Sequence, residues 1–423
     1  MQVLIRKATV VDPRSDYHER VVDLLVEDGV IKNIAGTIKA PDADILITAK
    51  GLCVSTGWVD VFADYREPGF EHKETILTGL NAAATGGFTD VLLAPNTQPV
   101  LSTKSIIQYV LQQAKGHASS LHPLGAATQN AEGKDLAEML DMHSNGAVAF
   151  TDGWKPVQQA NLMLKALEYV KAFNGVVLQI PVDASLATGG LMNEGAMSTL
   201  LGMAGIPALA ETIMVHRDIE LLKYTDSKLH ITGITLETSV EMIRKAKAEG
   251  LAVTCSVTPY HLSLTDDMLS GYDSVYKVMP PLREETDRMA LIAGLQDGTI
   301  DCIATHHRPQ EWDAKAKEFE YAADGMAVQE NAFSILWDAL NEYIYADKLV
   351  EMMTVTPRRI FGLKEQRIAK GADACLTLFT TEATHTLTDA DVQSRSRNNP
   401  YIGRKLPGKV IGVVNNGTLH LNK

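Results

Sequence analysis

Cysteine is scarce in this sequence of 423 residues. Its four cysteines, Cys53, Cys255, Cys302 and Cys375, lie far apart, and no two of them form a Cys-x-x-Cys pair. This spacing excludes a disulfide framework and a cysteine-based zinc site, and it is typical of a reducing compartment. The sequence also lacks an apolar run of about 18 residues, so we expect no segment that crosses a membrane.

Basic residues are fewer than acidic ones. The chain has 39 Lys and Arg against 52 Asp and Glu, which gives a net charge of −13. This balance argues against a nucleic-acid partner, because binding phosphates requires clustered Lys and Arg. Residues 1–13 form a short strand-like run without the longer apolar stretch of a signal peptide, so we expect a cytoplasmic protein. Hydrophobic residues make up 45% of the chain, which is enough for a sizeable core.

The middle of the chain alternates between apolar runs of strand length and helical stretches. Three of the helical stretches end at Gly86, Gly250 and Gly298, which are C-cap signals. Eight strand–helix units predict a (β/α)8 barrel of the TIM type, and so an α/β protein. The alternative is a doubly wound open sheet, but no Gly-rich phosphate loop follows any run. The eight runs are 53–63, 90–95, 121–127, 147–150, 176–180, 229–234, 252–257 and 300–304.

The two ends of the chain resemble each other and differ from the middle. Both contain short alternating strands with turn signals, such as Glu27-Asp28-Gly29 and Asn415-Asn416-Gly417. We therefore predict a small β-sandwich domain built from residues 1–52 and 366–423, beside a barrel of residues 53–365.

Several long motifs carry a resemblance to a known family. They are DVFADYREPG (60–69), MPPLREETDRMALIAGLQDGTIDCIATHHRP (279–309), TPRRIFGL (356–363), KGADACLTLF (370–379) and NPYIGRKLPGKVIGVVNNG (399–417). In these motifs and their order the chain resembles the dihydroorotase family of the amidohydrolase superfamily. The resemblance implies a TIM barrel with a β-sandwich from both termini. It also implies a zinc-dependent hydrolase of pyrimidine biosynthesis, which interconverts carbamoyl aspartate and dihydroorotate.

The residues that bind zinc in the resembled family are largely replaced here. Such ligands are neutral imidazoles or carboxylates at the C-terminal ends of barrel strands. The family's His-x-His on strand 1 becomes Phe62 and Asp64, and its Asp-Asp-Gly on strand 4 is one Asp short. Its strand-8 aspartate, which is both ligand and general base, becomes His306. The replaced ligand positions are Phe62, Asp64, Gly153, Ile180, Gly233 and His306.

Two residues of the family's substrate pocket remain, namely Arg66 and Asn96. Arg66 either clamps a substrate carboxylate or pairs with an internal acid. Asn96 either binds the ligand or closes a turn. Val182 and Met279 replace an acid and an asparagine of the family.

Two hypotheses follow for the function. In the first, the chain holds no metal, has no catalytic residue and acts as a structural partner of aspartate transcarbamoylase, as some members of the resembled family do, with a homo-oligomer expected. In the second, it is a zinc-dependent dihydroorotase or a related cyclic amidohydrolase with an unorthodox site. That site would draw on Asp64, Asp152, His261, His306 and His307. Neighbouring strand residues face opposite sides, so His306 and His307 are not expected to share one ion. His261 and His230 are otherwise expected to be satisfied barrel histidines.

Overall fold

The computed structural model describes residues 1–40 and 43–422. Its strands form a parallel barrel, a mostly antiparallel sheet and one two-stranded ribbon. The strands are β1 Gln2–Val10, β2 Val21–Glu27, β3 Val30–Ala35, β4 Ile45–Ile47, β5 Leu52–Thr56, β6 Trp58–Ala63, β7 Phe88–Leu93, β8 Ser120–Gly125, β9 Ala149–Phe150, β10 Val177–Gln179, β11 Met192–Asn193, β12 Gly205–Ile206, β13 Leu229–Thr232, β14 Val253–Val257, β15 Cys302–Ile303, β16 Leu376–Thr386, β17 Lys405–Asn415 and β18 Thr418–Leu421.

The barrel consists of eight parallel strands in the order β6-β7-β8-β9-β10-β13-β14-β15. Each of the eight predicted apolar runs contains or overlaps one of these strands. The ring closes where the segment after β15 meets β6: the amide of His306 donates to the carbonyl of Phe62 at 3.0 Å, and the amide of Asp64 donates to the carbonyl of His307 at 2.9 Å. The predicted barrel is therefore confirmed, and the C-terminal ends of its strands meet at one mouth.

Helices cover the outside of the barrel. Gly86 and Gly298 cap helices as predicted, and Gly298 does so with φ +80° in the left-handed region. The helices are α1 Ile76–Thr85, α2 Lys104–Gln113, α3 Met139–Ser144, α4 Ala160–Lys171, α5 Ala184–Ala187, α6 Ala196–Leu201, α7 Leu209–Thr225, α8 Glu237–Ala248, α9 Pro259–Ser263, α10 Glu285–Asp297, α11 Trp312–Lys315, α12 Ala332–Leu340, α13 Ala346–Met353 and α14 Val355–Ile360, with short 3-10 turns at 129–131, 266–271, 274–276 and 329–331.

A second sheet unites the two ends of the chain. Strand β5 pairs with β1 and, antiparallel, with β16, so that Leu376 lies opposite Thr56. The run 53–63, expected as one barrel strand, divides at Gly57: β5 belongs to this terminal sheet and β6 to the barrel. The fold class is thus confirmed as an α/β barrel with a β-domain from both termini. The boundaries at 52/53 and 365/366 remain a prediction.

Buried apolar side chains from neighbouring barrel strands pack into one cluster. Its buried side chains include Val61, Leu92, Leu124, Leu178 and Ala304. A packed interior of this kind fixes the strand ends, so the side chains at the mouth are held on a rigid frame. No helix within residues 1–40 and 43–422 has both the length and the apolar character needed to cross a bilayer.

Candidate functional site

Three rings meet at the barrel mouth where the resemblance places metal ligands. The ring of Phe62, at the end of β6, lies 5.1 Å from Trp154 and 4.9 Å from His306, and the last two lie 5.3 Å apart. The contacts are edge-on or tilted, which are favourable arrangements for aromatic pairs. We call Phe62, Trp154 and His306 the aromatic cluster. It joins the ends of β6, β9 and β15 by packing.

Asp64 is fully buried and both of its carboxylate oxygens have partners. The indole Nε1 of Trp154 donates to Oδ2 at 2.8 Å, and the backbone amide of Arg66 donates to Oδ1 at 3.1 Å. The Nη1 of Arg66 also lies 3.1 Å from Oδ2. Asp64 therefore serves as an internal anion for Arg66, the second of the two interpretations that the sequence left open for that arginine.

The loop that follows β9 is closed by hydrogen bonds to Asn96. Asn96 donates to the carbonyl of Asp152 at 2.9 Å and accepts from the amide of Trp154 at 2.9 Å, as a turn-closing residue would. Gly153 has φ +59°, and a Cβ atom built on it would lie 2.0 Å from Oδ1 of Asn96. No side chain therefore fits at position 153 while this loop is in place.

Asp152 faces Thr128 instead of the aromatic cluster. It accepts the backbone amide of Thr128 at 2.9 Å and a short bond from the hydroxyl of the same residue. Burial nevertheless raises the pKa of Asp152 to about 6, because these bonds offset only part of the desolvation of its charged form. This carboxylate is thus committed to Thr128.

His306 is buried and neutral. Its Nε2 lies 2.8 Å from the hydroxyl of Thr232, its Nδ1 has no partner within the described part of the chain, and burial holds its pKa well below the usual value. Its backbone has φ +46°, in the left-handed region. Gly233 lies directly against the ring, and a Cβ atom built there would be 2.5 Å from Cε1 of His306.

His307 faces away from His306, as the alternation along a strand predicts. Its Nε2 lies 3.5 Å from Oε2 of the buried Glu74, and its Nδ1 accepts from the amide of Gln329 at 3.3 Å. His307 therefore belongs to the layer between the barrel and the residues around Gln329. It does not reach the aromatic cluster.

The two other histidines are satisfied inside the barrel. The Nε2 of His261 lies 3.2 Å from the carbonyls of Pro280 and Pro281, and the two ring nitrogens of His230 lie 2.9 and 3.0 Å from the hydroxyls of Thr254 and Ser256. Burial lowers the pKa of both imidazoles to about 3, so they stay neutral at physiological pH.

Two residues at the mouth were not identified as important from the sequence. Trp154 joins the aromatic cluster and binds Asp64, and the guanidinium carbon of Arg308 lies 4.2 Å from the centre of its indole ring. Their sequence positions offer a signal: Trp154 directly follows Asp152-Gly153 after β9, and Arg308 lies two residues after His306. A search restricted to metal ligands passes over both.

The residues present do not fit the dinuclear zinc centre that the resemblance implies. Zinc requires several His, Cys or carboxylate donors that converge on one point. No group of three such residues is placed to hold an ion within the described ranges. At the mouth, Phe62 and Gly233 offer no donor, and Asp64 is already engaged by Arg66 and Trp154.

Comparisons with known proteins agree with the fold and the motifs. A family model described as dihydro-orotase-like matches residues 51–239. The chain is 40% identical to a curated dihydroorotase of Geotalea daltonii over 419 residues, which is 99% of this chain and 98% of the relative. It is also 40% identical to a dihydroorotase of Acetivibrio thermocellus over 421 residues, again 99% and 98% of the two chains.

A solved structure supports the architecture independently. The L-hydantoinase (dihydropyrimidinase) of Arthrobacter aurescens superposes with a TM-score of 0.86 at 22% identity, over 100% of this chain and 96% of that one. At that identity the likeness speaks for the fold alone. With about two fifths identity to curated relatives over nearly the whole chain, however, the sequence comparison is decisive: this protein belongs to the dihydroorotase family.

Proposed function

We propose that this chain is a catalytically inactive member of the dihydroorotase family that acts in pyrimidine biosynthesis as a structural partner of aspartate transcarbamoylase. The aromatic cluster carries the proposal. Opening or closing a cyclic amide requires an activated water and a polarised carbonyl, and bound zinc supplies both in this family. Here Phe62 and Trp154 pack against the imidazole of His306, and the three rings fill the part of the mouth where the family binds its metal.

The general base is also without a replacement. A base must hold an available lone pair or carboxylate near the reacting proton. His306, at the position of the family's catalytic aspartate, is buried with its Nε2 on Thr232. Asp64 is held by Arg66 and Trp154, and Asp152 by Thr128. Each of these three side chains thus has a structural partner. The one ring nitrogen left over, Nδ1 of His306, is buried, and burial holds the pKa of this imidazole well below its usual value, which makes it a weak base.

The alternative is an active dihydroorotase, or a related cyclic amidohydrolase, with an unorthodox site. The observation in its favour is that relatives about 40% identical over nearly their full length are named dihydroorotases. It requires Asp64, Asp152, His261, His306 or His307 to leave their present partners. Zinc content and dihydroorotase turnover of the purified protein separate the two functions, because the enzyme needs about one or two zinc ions per chain.

The partner assignment rests on the family resemblance, and it has its own experiment. The full chain and the cognate aspartate transcarbamoylase are purified together, and their mass is measured by light scattering at micromolar concentration. We expect a defined complex, a homo-oligomer of the chain when alone, and a change in transcarbamoylase activity when the chain is added. Two separate proteins and an unchanged transcarbamoylase would remove the structural role.

A pair of charge reversals locates the contact. Lys155 is exposed at the mouth, whereas Lys245 is exposed on α8 near the turn that leads into the start of β14, at the opposite end of the barrel. If the mouth faces the partner, Lys155→Glu weakens the complex and Lys245→Glu leaves it unchanged. Equal behaviour of the two variants would place the interface elsewhere.

A further inference from the structure

The barrel mouth remains open beside the aromatic cluster. A cavity of about 740 Å³ and a neighbouring one of about 580 Å³ share Trp154, Lys155 and Arg308 in their linings. A volume of this size accepts a small organic molecule. The cluster therefore fills the place of the metal ligands without closing the entrance to the barrel.

Arg308 is a half-buried cation without a close ion-pair partner among the described residues. Its guanidinium lies over Trp154 at 4.2 Å, its Nε is buried without a hydrogen-bond partner, and no ion pair of this arginine is found within residues 1–40 and 43–422. A guanidinium that is partly removed from water and has no close counter-ion is stabilised by an anion, and Arg308 holds this position at the wall of a cavity.

The other charges at the mouth leave a positive excess. Arg66 is paired with Asp64, and Lys134 with Glu132 at 3.1 Å. Lys155 lines both cavities and has no ion pair among the described residues. Asp324 also lines the larger cavity and attracts Arg308, but it forms no ion pair with it. Two cations, Lys155 and Arg308, thus face the cavities with one unpaired acid nearby.

One side of the larger cavity is apolar. Ile180, Val182 and Met279 line it, together with Ala184 and Ala187. This side favours a ligand with a non-polar body, while the charged and polar side chains of the lining remain for its polar end.

We propose that the barrel mouth binds a small organic acid with an apolar body. Its oxyanion, a carboxylate or a phosphate, lies on Arg308 and Lys155, and its body packs against Ile180, Val182 and Met279. The guanidinium donates no hydrogen bond to any described residue, so its N–H groups are available to bind an oxyanion through two parallel hydrogen bonds. This site does not depend on the proposed function, since binding requires neither catalysis nor a partner.

The test titrates the full chain with benzoate, phenyl phosphate, neutral benzamide and dihydroorotate, using calorimetry and tryptophan fluorescence, to which Trp154 contributes. We expect saturable binding of benzoate or phenyl phosphate, and the stronger of the two identifies the oxyanion. Benzamide and dihydroorotate should bind at least about tenfold more weakly, because one lacks the charge and the other the apolar body.

Variants assign the binding to the predicted residues. Arg308→Met keeps the contact with Trp154 and should lower the affinity for the acid by about tenfold or more. The exposed Arg367→Met is the matched control and should leave the affinity unchanged. Lys155→Ala, at an exposed position, should lower the affinity for the acid by about twofold to tenfold. It gives a second readout if Arg308→Met does not fold. No saturable binding of either acid, equal binding of benzamide, tighter binding of dihydroorotate, or affinity unchanged in both variants would overturn the proposal.

Discussion

Gly233 and His306 are fitted to each other: a Cβ atom on Gly233 would lie 2.5 Å from Cε1 of His306, inside any normal contact distance. Both residues stand at positions that hold zinc ligands in the resembled family. The imidazole at 306 occupies the space that a side chain at 233 would need. The two replacements are therefore coupled, because a side chain restored at position 233 alone would meet the imidazole of His306.

The first prediction tests this coupling by a double-mutant cycle. Gly233→Ala should destabilise the protein by about 2–4 kcal/mol, because overpacking against His306 adds to the strain of φ +72°. In a His306→Ala background the same change should cost about 1–3 kcal/mol less, measured by urea unfolding. Gly250→Ala is the matched control, since it has φ +82° but no neighbour within 4 Å and reports the backbone strain alone. Additive effects at 233 and 306 would contradict the coupling.

The second prediction concerns the bond between Trp154 and Asp64. Trp154→Phe keeps an aromatic ring in the cluster but removes the Nε1 donor at 2.8 Å from a fully buried carboxylate. Trp337→Phe is the control, because the Nε1 of that half-buried indole donates no hydrogen bond to any residue that the structure describes. The loss of unfolding free energy should be about 1–3 kcal/mol larger for Trp154→Phe than for the control. Equal losses would mean that Asp64 does not depend on the indole.

The third prediction follows from the pKa of Asp152. Burial raises it from 3.8 to about 6, so between these values the folded protein binds more protons than the unfolded chain, and stability falls as pH rises. Two pKa units correspond to about 3 kcal/mol, present below pH 4 and lost by pH 7. Asp152→Asn removes this contribution, so the unfolding free energy of the variant should fall by about 3 kcal/mol less between pH 4 and pH 7 than that of the original protein. The exposed Asp16→Asn should leave the pH dependence of the unfolding free energy as it is in the original protein.

The fourth prediction concerns partial restoration of the metal site. The double variant Phe62→His and Asp64→His restores only the His-x-His pair at the end of β6. Ile180 and Gly233 still offer no donor, and His306 still takes the place of the general base. We expect background zinc content and no dihydroorotase turnover in this variant. Measurable turnover would show that the remaining groups form a more competent site than their present contacts indicate.

The strand pattern of the barrel could be predicted from the sequence because its signals are local. Runs of buried apolar residues mark the eight strands, and Gly86 and Gly298 mark the ends of α1 and α10. The division of run 53–63 at Gly57 could not be seen, because β5 and β6 are both apolar and differ only in their pairing partners. Which sheet a strand joins depends on residues such as Leu376, more than 300 positions away.

The site was predictable as a set of replacements but not as an arrangement. The motifs show that Phe62 and Gly233 stand where ligands belong, since identity alone decides whether a side chain can bind a metal. They do not show that Trp154 would pack against Phe62 and His306 or that Arg66 would pair with Asp64. These contacts depend on the loop after β9 and on side-chain directions, which only the folded chain determines.

The central claim is that this member of the dihydroorotase family has no metal centre and no dihydroorotase activity. The most direct test measures zinc content and turnover of dihydroorotate on the same purified sample, with the dihydroorotase of Geotalea daltonii as the positive control. We predict zinc at background level and no turnover above the uncatalysed rate, while the control holds zinc and is active. About one or more zinc ions per chain together with measurable turnover would contradict the claim.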